Sequence, residues 1–204
     1  MPVIDIKNLN KSLGGKTLFE DLNVHIESGE FVVFCGEIGC GKTTLLNMIG
    51  GIESPDSGSI TLDGTDIWKL RSRRKLFLYK YGFLFQNFAL LEDETVKKNL
   101  SIISKRARTE MSILEALERV GIADKLNTEV FKLSGGEQQR VALARLMLKK
   151  CDTILADEPT GSLDERNAEE VLKILHSLCD IGKTVIIVTH SPKIIESERR
   201  VIRL

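Results

Sequence analysis

Gly36-Glu37-Ile38-Gly39-Cys40-Gly41-Lys42-Thr43 has the spacing G-x-x-x-x-G-K-[ST], and an uninterrupted apolar run, Phe31-Val-Val-Phe-Cys35, leads into it. Such a run ending in glycine predicts a strand buried on both faces, and Lys42 to Ile49 predicts a helix directly after the loop. This is the P-loop context. Glycines let the backbone curl so that its N–H groups face phosphate oxygens, and the helix N-terminus adds a favourable dipole. Lys42 would reach the β- and γ-phosphates, and the Thr43 hydroxyl would bind Mg²⁺. A chance glycine turn before a helix is the plain alternative.

Two further strings carry chemistry. Thr153-Ile-Leu-Ala-Asp157-Glu158 is an apolar strand ending in two carboxylates. Asp157 would hold Mg²⁺, and a carboxylate at Glu158 could polarise an attacking water. In a straight strand Glu158 points away from Asp157, so this role needs a bend at the strand end. Leu133-Ser134-Gly135-Gly136-Glu137-Gln138-Gln139-Arg140 opens a helix that runs on through Ala144 and Leu148. A serine and two glycines at a helix start offer a hydroxyl, free N–H groups and the positive dipole end to an anion. An ordinary serine N-cap explains the same residues, and physics alone does not choose.

The elements that must position these groups follow from the rest of the pattern. Val3 to Ile6 and Val24 to Ile26 predict short strands, with a turn at Gly14-Gly15. After a turn at Ser54 to Gly58, Ser59 to Leu62 and Asp66 to Trp68 flank Asp63-Gly64 and predict an antiparallel hairpin. Ser112 with Glu115 suggests a capping box, with Ile113, Leu114, Leu117 and Val120 on one face before Gly121. Val141 to Leu148 predicts a helix and Thr153 to Ala156 a strand. A helix with Val171, Ile174, Leu175 and Leu178 comes next, then a turn at Gly182 and a strand at Thr184 to Val188. The expected architecture is α/β: a mainly parallel sheet with helices, a small antiparallel β part, and a helical insertion over roughly 88–150 within one domain, 1–204.

Composition bounds the rest. The 204 residues carry 29 Lys+Arg against 29 Asp+Glu, so the net charge is zero and the electrostatic argument for a nucleic-acid partner is absent. The basic run Arg71-Ser-Arg73-Arg74-Lys75 is expected to be a solvated face. Cys35, Cys40, Cys151 and Cys179 have no C-x-x-C spacing, which fits reduced thiols in a cytosolic protein. No segment approaches the roughly 20 apolar residues of a membrane span, and the N-terminal stretch does not have the form of a signal peptide. The expectation is a cytoplasmic protein; at a membrane, another chain would supply the span.

LSGGEQQR, with the P-loop before it and ILADE after it, resembles the nucleotide-binding domain of ATP-binding cassette (ABC) transporters along essentially the whole chain. The resemblance implies a P-loop ATPase of ABC type with ATP and Mg²⁺. It assigns Gln86 to the Q-loop, which senses Mg²⁺ and the γ-phosphate, Ser162-Leu163-Asp164 to the D-loop, and His190 to the switch histidine. Nucleotide contacts are then expected from Gly36 through Thr44, from Asp164, and from Leu13, which stands where an adenine-stacking aromatic is usual. Ile38 and Cys40 replace more common serines, and Lys98 replaces the glutamate of the T-V-x-E-N string.

The resemblance also implies a head-to-tail, ATP-dependent homodimer. Each ATP lies between the P-loop of one copy and Ser134-Gly135-Gly136 of the other, with Glu158, His190, Lys42 and Gln86 performing hydrolysis. A separate transmembrane permease subunit would hold the ATPase at the inner membrane face, and Phe88 and Leu91, just past Gln86, are expected to meet it. LLNMIGGIESPDSGSITLDGTDIWKL, YGFLFQNFALL and DEPTGSLD are similar to the MacB and LolD group and to lactococcin-type bacteriocin exporters. This implies a cargo among peptides, antibiotics and lipoproteins; a division regulator of the FtsE kind is the competing expectation.

Overall fold

The computed structural model describes residues 3–161 and 163–204. Five parallel strands form the central sheet in the order β6 (Tyr81–Leu84), β7 (Thr153–Asp157), β8 (Thr184–Thr189), β3 (Phe31–Cys35) and β9 (Val201–Arg203). β3, β7 and β8 sit inside the sheet, which is why their sequences are nearly continuous apolar runs. Their residues alternate between two cores. Val33, Ile154, Ala156, Val185 and Ile187 face one, which takes in the helical middle of the chain. Val32, Phe34, Leu155, Ile186 and Val188 face the other, shared with α1 (Lys42–Ile49) and the antiparallel strands.

The antiparallel sheet has the order β2-β1-β4-β5, with β1 Ile4–Leu13, β2 Lys16–Ile26, β4 Ser57–Leu62 and β5 Thr65–Asp66. β1 and β2 are far longer than the expected 3–6 and 24–26. The ribbon shifts register between Ile6 and Leu9 and twice more before Ser12, which breaks the apolar alternation that marks a strand. Asn8 and Asp21 take left-handed φ values of 47° and 48° beside these irregularities, a conformation their short polar side chains tolerate. The expected hairpin forms, but β5 ends at Asp66 and Trp68 lies in the following turn.

Three helices make up the middle: α2 (Val96–Ser101), α3 (Ile113–Arg119) and α4 (Gly135–Leu148). Ser112 caps α3 by accepting from the Glu115 N–H at 3.1 Å, but the Glu115 carboxylate turns to Arg119, so half of the expected box exists. Leu114 is half exposed, and Ala116 takes its expected place in the core. α5 (Glu165–Asp180) buries Val171, Leu175 and Leu178, and α6 (Pro192–Ser197) leads into β9. α2, α6, β9 and a π-helical turn at Leu76–Lys80 had no clear sequence signal: each is six residues or fewer, too short for a period to show.

Candidate nucleotide site

The P-loop leaves β3 at Gly36 and enters α1 at Lys42, as the spacing predicted. Gly41 sits at φ +100°, and a Cβ there would lie 2.8 Å from Cζ of Phe19. Only glycine fits that turn with Phe19 packed beneath it. Lys42 is 9% exposed, and its ammonium donates to the carbonyls of Gly36 and Glu37, both at 2.9 Å. The Lys16 ammonium reaches the loop from outside and donates to the Gly39 carbonyl at 3.0 Å.

The two carboxylates sit at the end of β7. Asp157 is 7% exposed and accepts from the Thr43 hydroxyl at 3.1 Å. Burial raises its pKa above the usual carboxylate range, while the Thr43 hydrogen bond works against that rise. A buried carboxylate beside a hydroxyl suits a hard divalent cation, so Thr43 and Asp157 are fit to hold Mg²⁺. The bend required of Glu158 is present: its φ is +44°, unusual for a residue with a Cβ. The bend turns the carboxylate towards the end of β8, where Oε2 accepts from the Thr189 hydroxyl at 2.9 Å and Oε1 lies 2.6 Å from Nδ1 of His190.

Leu13, Leu18, Ile38, Gly39, Gly41, Lys42, Thr43, Thr44, Gln86, Glu158 and His190 line one cleft of about 420 Å³. Gln86 enters it from the end of β6 and Leu13 from the tip of the β1–β2 ribbon. Gly36, Glu37 and Cys40 instead face a second hollow behind the loop, together with the C-terminal Arg203 and Leu204. Leu18, Lys16 and Thr189 escaped the sequence reading. Thr189 had a signal, a polar residue closing an otherwise apolar strand next to His190. Lys16 and Leu18 had none, because only the fold-back at Gly14-Gly15 brings them to the loop.

The Ser134-Gly135-Gly136 start does not line the cleft of its own chain. There Ser134 is an N-cap in a full capping box: its hydroxyl accepts from the Glu137 N–H at 3.3 Å, and Glu137 accepts from the Ser134 N–H at 2.8 Å. Nothing lies within 4 Å of a Cβ built on Gly135, so this end of α4 opens outward. Asp164 is likewise a helix cap, accepting from the Asn167 N–H at the start of α5 at 2.9 Å, and does not line the cleft; Ser162 lies outside the described residues. α4 is nevertheless tied to the carboxylate loop. Gln139 donates to the Pro159 carbonyl, and Arg140 donates to Asn167 at 2.7 Å and pairs with Glu170.

A P-loop, a strand-end carboxylate pair and an outward-facing Ser-Gly-Gly helix start on one α/β core define a nucleotide-hydrolysing cassette. The family model for the ABC transporter matches residues 19–161, and the chain belongs to that family as its ATP-hydrolysing cassette. It is 39% identical over 212 residues to the macrolide export ATP-binding/permease protein MacB of Campylobacter jejuni, covering 99% of this chain and 33% of that protein. It therefore spans about a third of the length of such curated relatives. The ABC transporter ATP-binding protein YvrO of Bacillus subtilis, whose function is uncharacterised, is 36% identical, with 98% of this chain and 92% of YvrO covered. Among solved structures, the dimeric ABC transporter cassette MJ0796 superposes with a TM-score of 0.88 at 34% identity, over 98% of this chain and 94% of that one. The same cassette in a post-hydrolysis state, bound to ADP and phosphate, gives 0.86 at 33% identity, with the same shares covered. No helix among the described residues is long and apolar enough to cross a membrane.

Proposed function

We propose that this chain is the engine of an ABC exporter or extractor whose transmembrane part is a separate subunit. Two copies close head to tail around two ATP molecules to hydrolyse them. The observation that carries this reading is the bend at Glu158, which puts a carboxylate held by Thr189 and His190 into the same cleft as Lys42 and Thr43.

In the closed dimer the Lys42 ammonium exchanges the Gly36 and Glu37 carbonyls for β- and γ-phosphate oxygens. Glu158 orients a water and takes its proton as the water oxygen bonds to the γ-phosphorus and the bond to the ADP oxygen breaks. His190, Gln86 and the partner copy's Ser134 hydroxyl and Gly136 N–H balance charge on the γ-phosphoryl oxygens. Thr43 and Asp157 would hold Mg²⁺, which would supply neutralising charge to the phosphates. Leu13 and Leu18 offer the base an apolar seat without an aromatic face. The outward-facing start of α4 supports the two-copy reading, since it offers donors that its own cleft does not use.

The permease subunit docks in an apolar groove of about 350 Å³ lined by Phe77, Phe83, Phe85, Ala89 and Ile102. Phe85 and Ala89 of its lining flank Gln86 in sequence, so nucleotide state and partner contact share one loop. Ala89 lines the groove; Phe88 and Leu91 do not, and Phe88 packs partly against the core. The cargo class is an antibiotic, peptide, bacteriocin or lipoprotein; the MacB relatives, named for macrolide export, support the antibiotic among these. The activity per molecule should rise with protein concentration until the dimer is saturated, and Ser134→Arg should abolish it while a single copy still binds ATP. Hydrolysis that is independent of concentration, and unaffected by Ser134→Arg, would overturn the two-copy reading.

A further inference from the structure

The two segments that line most of the docking groove are free of acidic residues in a chain whose total is balanced at 29 against 29, and Glu92, Asp93 and Glu94 between them do not line it. No Asp or Glu occurs from Ile67 to Leu91, nor from Thr95 to Thr109, the two segments that supply most of the groove's lining. A second hollow, of about 520 Å³ and lined by Arg71, Arg73, Arg74 and Leu70, shares Phe77 and Leu78 with the groove, so the two form one continuous surface.

Some cations here are already engaged. Arg73 lies over the Trp68 ring at 4.5 Å, and Lys80 pairs with Asp152 at 2.7 Å. Arg71 and Arg74 line the adjoining hollow, Lys75 follows them in sequence, and Lys105 and Arg106 fall between the lining residues Ser104 and Ala107; all five are exposed and pair with no carboxylate among the described residues. Such unpaired like charges repel one another, and a partner's carboxylates would relieve that repulsion.

Resting on the docking reading above, we propose that the occupant is an acidic amphipathic segment of the membrane subunit. Its apolar side chains enter between Phe77, Phe83, Phe85 and Ile102, and its flanking carboxylates meet Arg71, Arg74 and Lys75 on one side and Lys105 and Arg106 on the other. The recess favours a protein segment over a lipid surface, because it is a concave pocket of about 350 Å³ with the stacked rings of Phe83 and Phe85 in its lining, not a flat face. The basic run that the sequence left as a solvated face thereby becomes the selector of the partner.

The test uses two synthetic amphipathic helical peptides of about four turns with identical leucine spacing, one flanked by glutamates and the other by lysines. Binding is read by fluorescence anisotropy at low and high salt, with neutral and phosphatidylglycerol-containing vesicles in parallel. The acidic peptide should bind about tenfold or more tightly than the basic one, the gap should narrow with salt, and Arg71→Glu/Arg74→Glu/Lys75→Glu should erase it. That variant should hydrolyse ATP normally, which reports its fold. Equal binding of both peptides, lost in Ile102→Asp, would overturn the charge selection and leave the groove standing. Binding of neither peptide would overturn both. Patch-dependent binding to phosphatidylglycerol vesicles alone would reassign the surface to lipid and overturn the proposal.

Discussion

The role proposed for Glu158 in hydrolysis rests on its departure from strand geometry. Its left-handed φ is a strained choice for glutamate, and the Thr189 hydroxyl and the His190 ring hold the carboxylate at its new address. Thr189→Val should therefore lower kcat about tenfold or more while leaving KM for ATP nearly unchanged, in a steady-state assay across ATP concentrations. An equal rise in KM would mean that Thr189 acts on binding instead. At the other end of the cleft Leu13 is 56% exposed, an apolar residue at the ribbon tip with open space around it. Leu13→Tyr should tighten ATP binding by about 1–3 kcal/mol through stacking on the base, measured by calorimetry. Unchanged or weaker affinity would place the base elsewhere.

At the scale of elements, α4 depends on its cap. The Ser134–Glu137 box closes its first turn, and the backbone hydrogen bond from Ser134 is the largest influence holding the Glu137 carboxyl below its ordinary value of 4.5. Ser134→Ala should lower unfolding stability by about 1 kcal/mol in denaturant titrations, separately from any loss of hydrolysis. A carboxyl whose folded pKa is lowered contributes stability that is complete above its unfolded value and fades as pH falls through the lowered one. The stability gap between wild type and Glu137→Gln should accordingly be largest near neutrality and shrink below about pH 4.5, where the neutral acid and the amide become alike. A gap that stays constant with pH would show that the charge of Glu137 adds nothing.

The same scale explains what the sequence made legible. β3, β7 and β8 were plain because burial on both faces writes an unbroken apolar run, and α1 was plain because Gly41 must end the loop before it. The ribbon β1–β2 was half hidden because its bulges scramble a period of two, and β9 was hidden because three residues at a sheet edge have no period at all. Among site residues, Lys42, Thr43, Asp157 and Glu158 could be found because they are neighbours in motifs. Lys16 and Leu18 could not, since a fold-back brings them there. Ser134 was readable either as a cap or as an anion site; the single chain uses it as a cap, and the proposed anion role needs a second copy.

At the scale of the whole molecule, one side of the parallel sheet carries α1 and the antiparallel ribbon, and the other carries the helical middle and the outward-facing α4. Gln139 and Arg140 tie α4 to the loop after Glu158 and to α5, which links the carboxylates by two side chains to the surface that the proposal assigns to a second copy. The central claim is that Glu158 acts on water in a site completed only by dimerisation. Glu158→Gln, purified and incubated with ATP and Mg²⁺, tests it in one experiment: phosphate release followed alongside size-exclusion chromatography. The account predicts that hydrolysis falls by about 10²-fold or more while ATP shifts the variant to a stable dimer. A variant that hydrolyses ATP at the wild-type rate, or that loses hydrolysis yet stays monomeric with ATP bound, would contradict it.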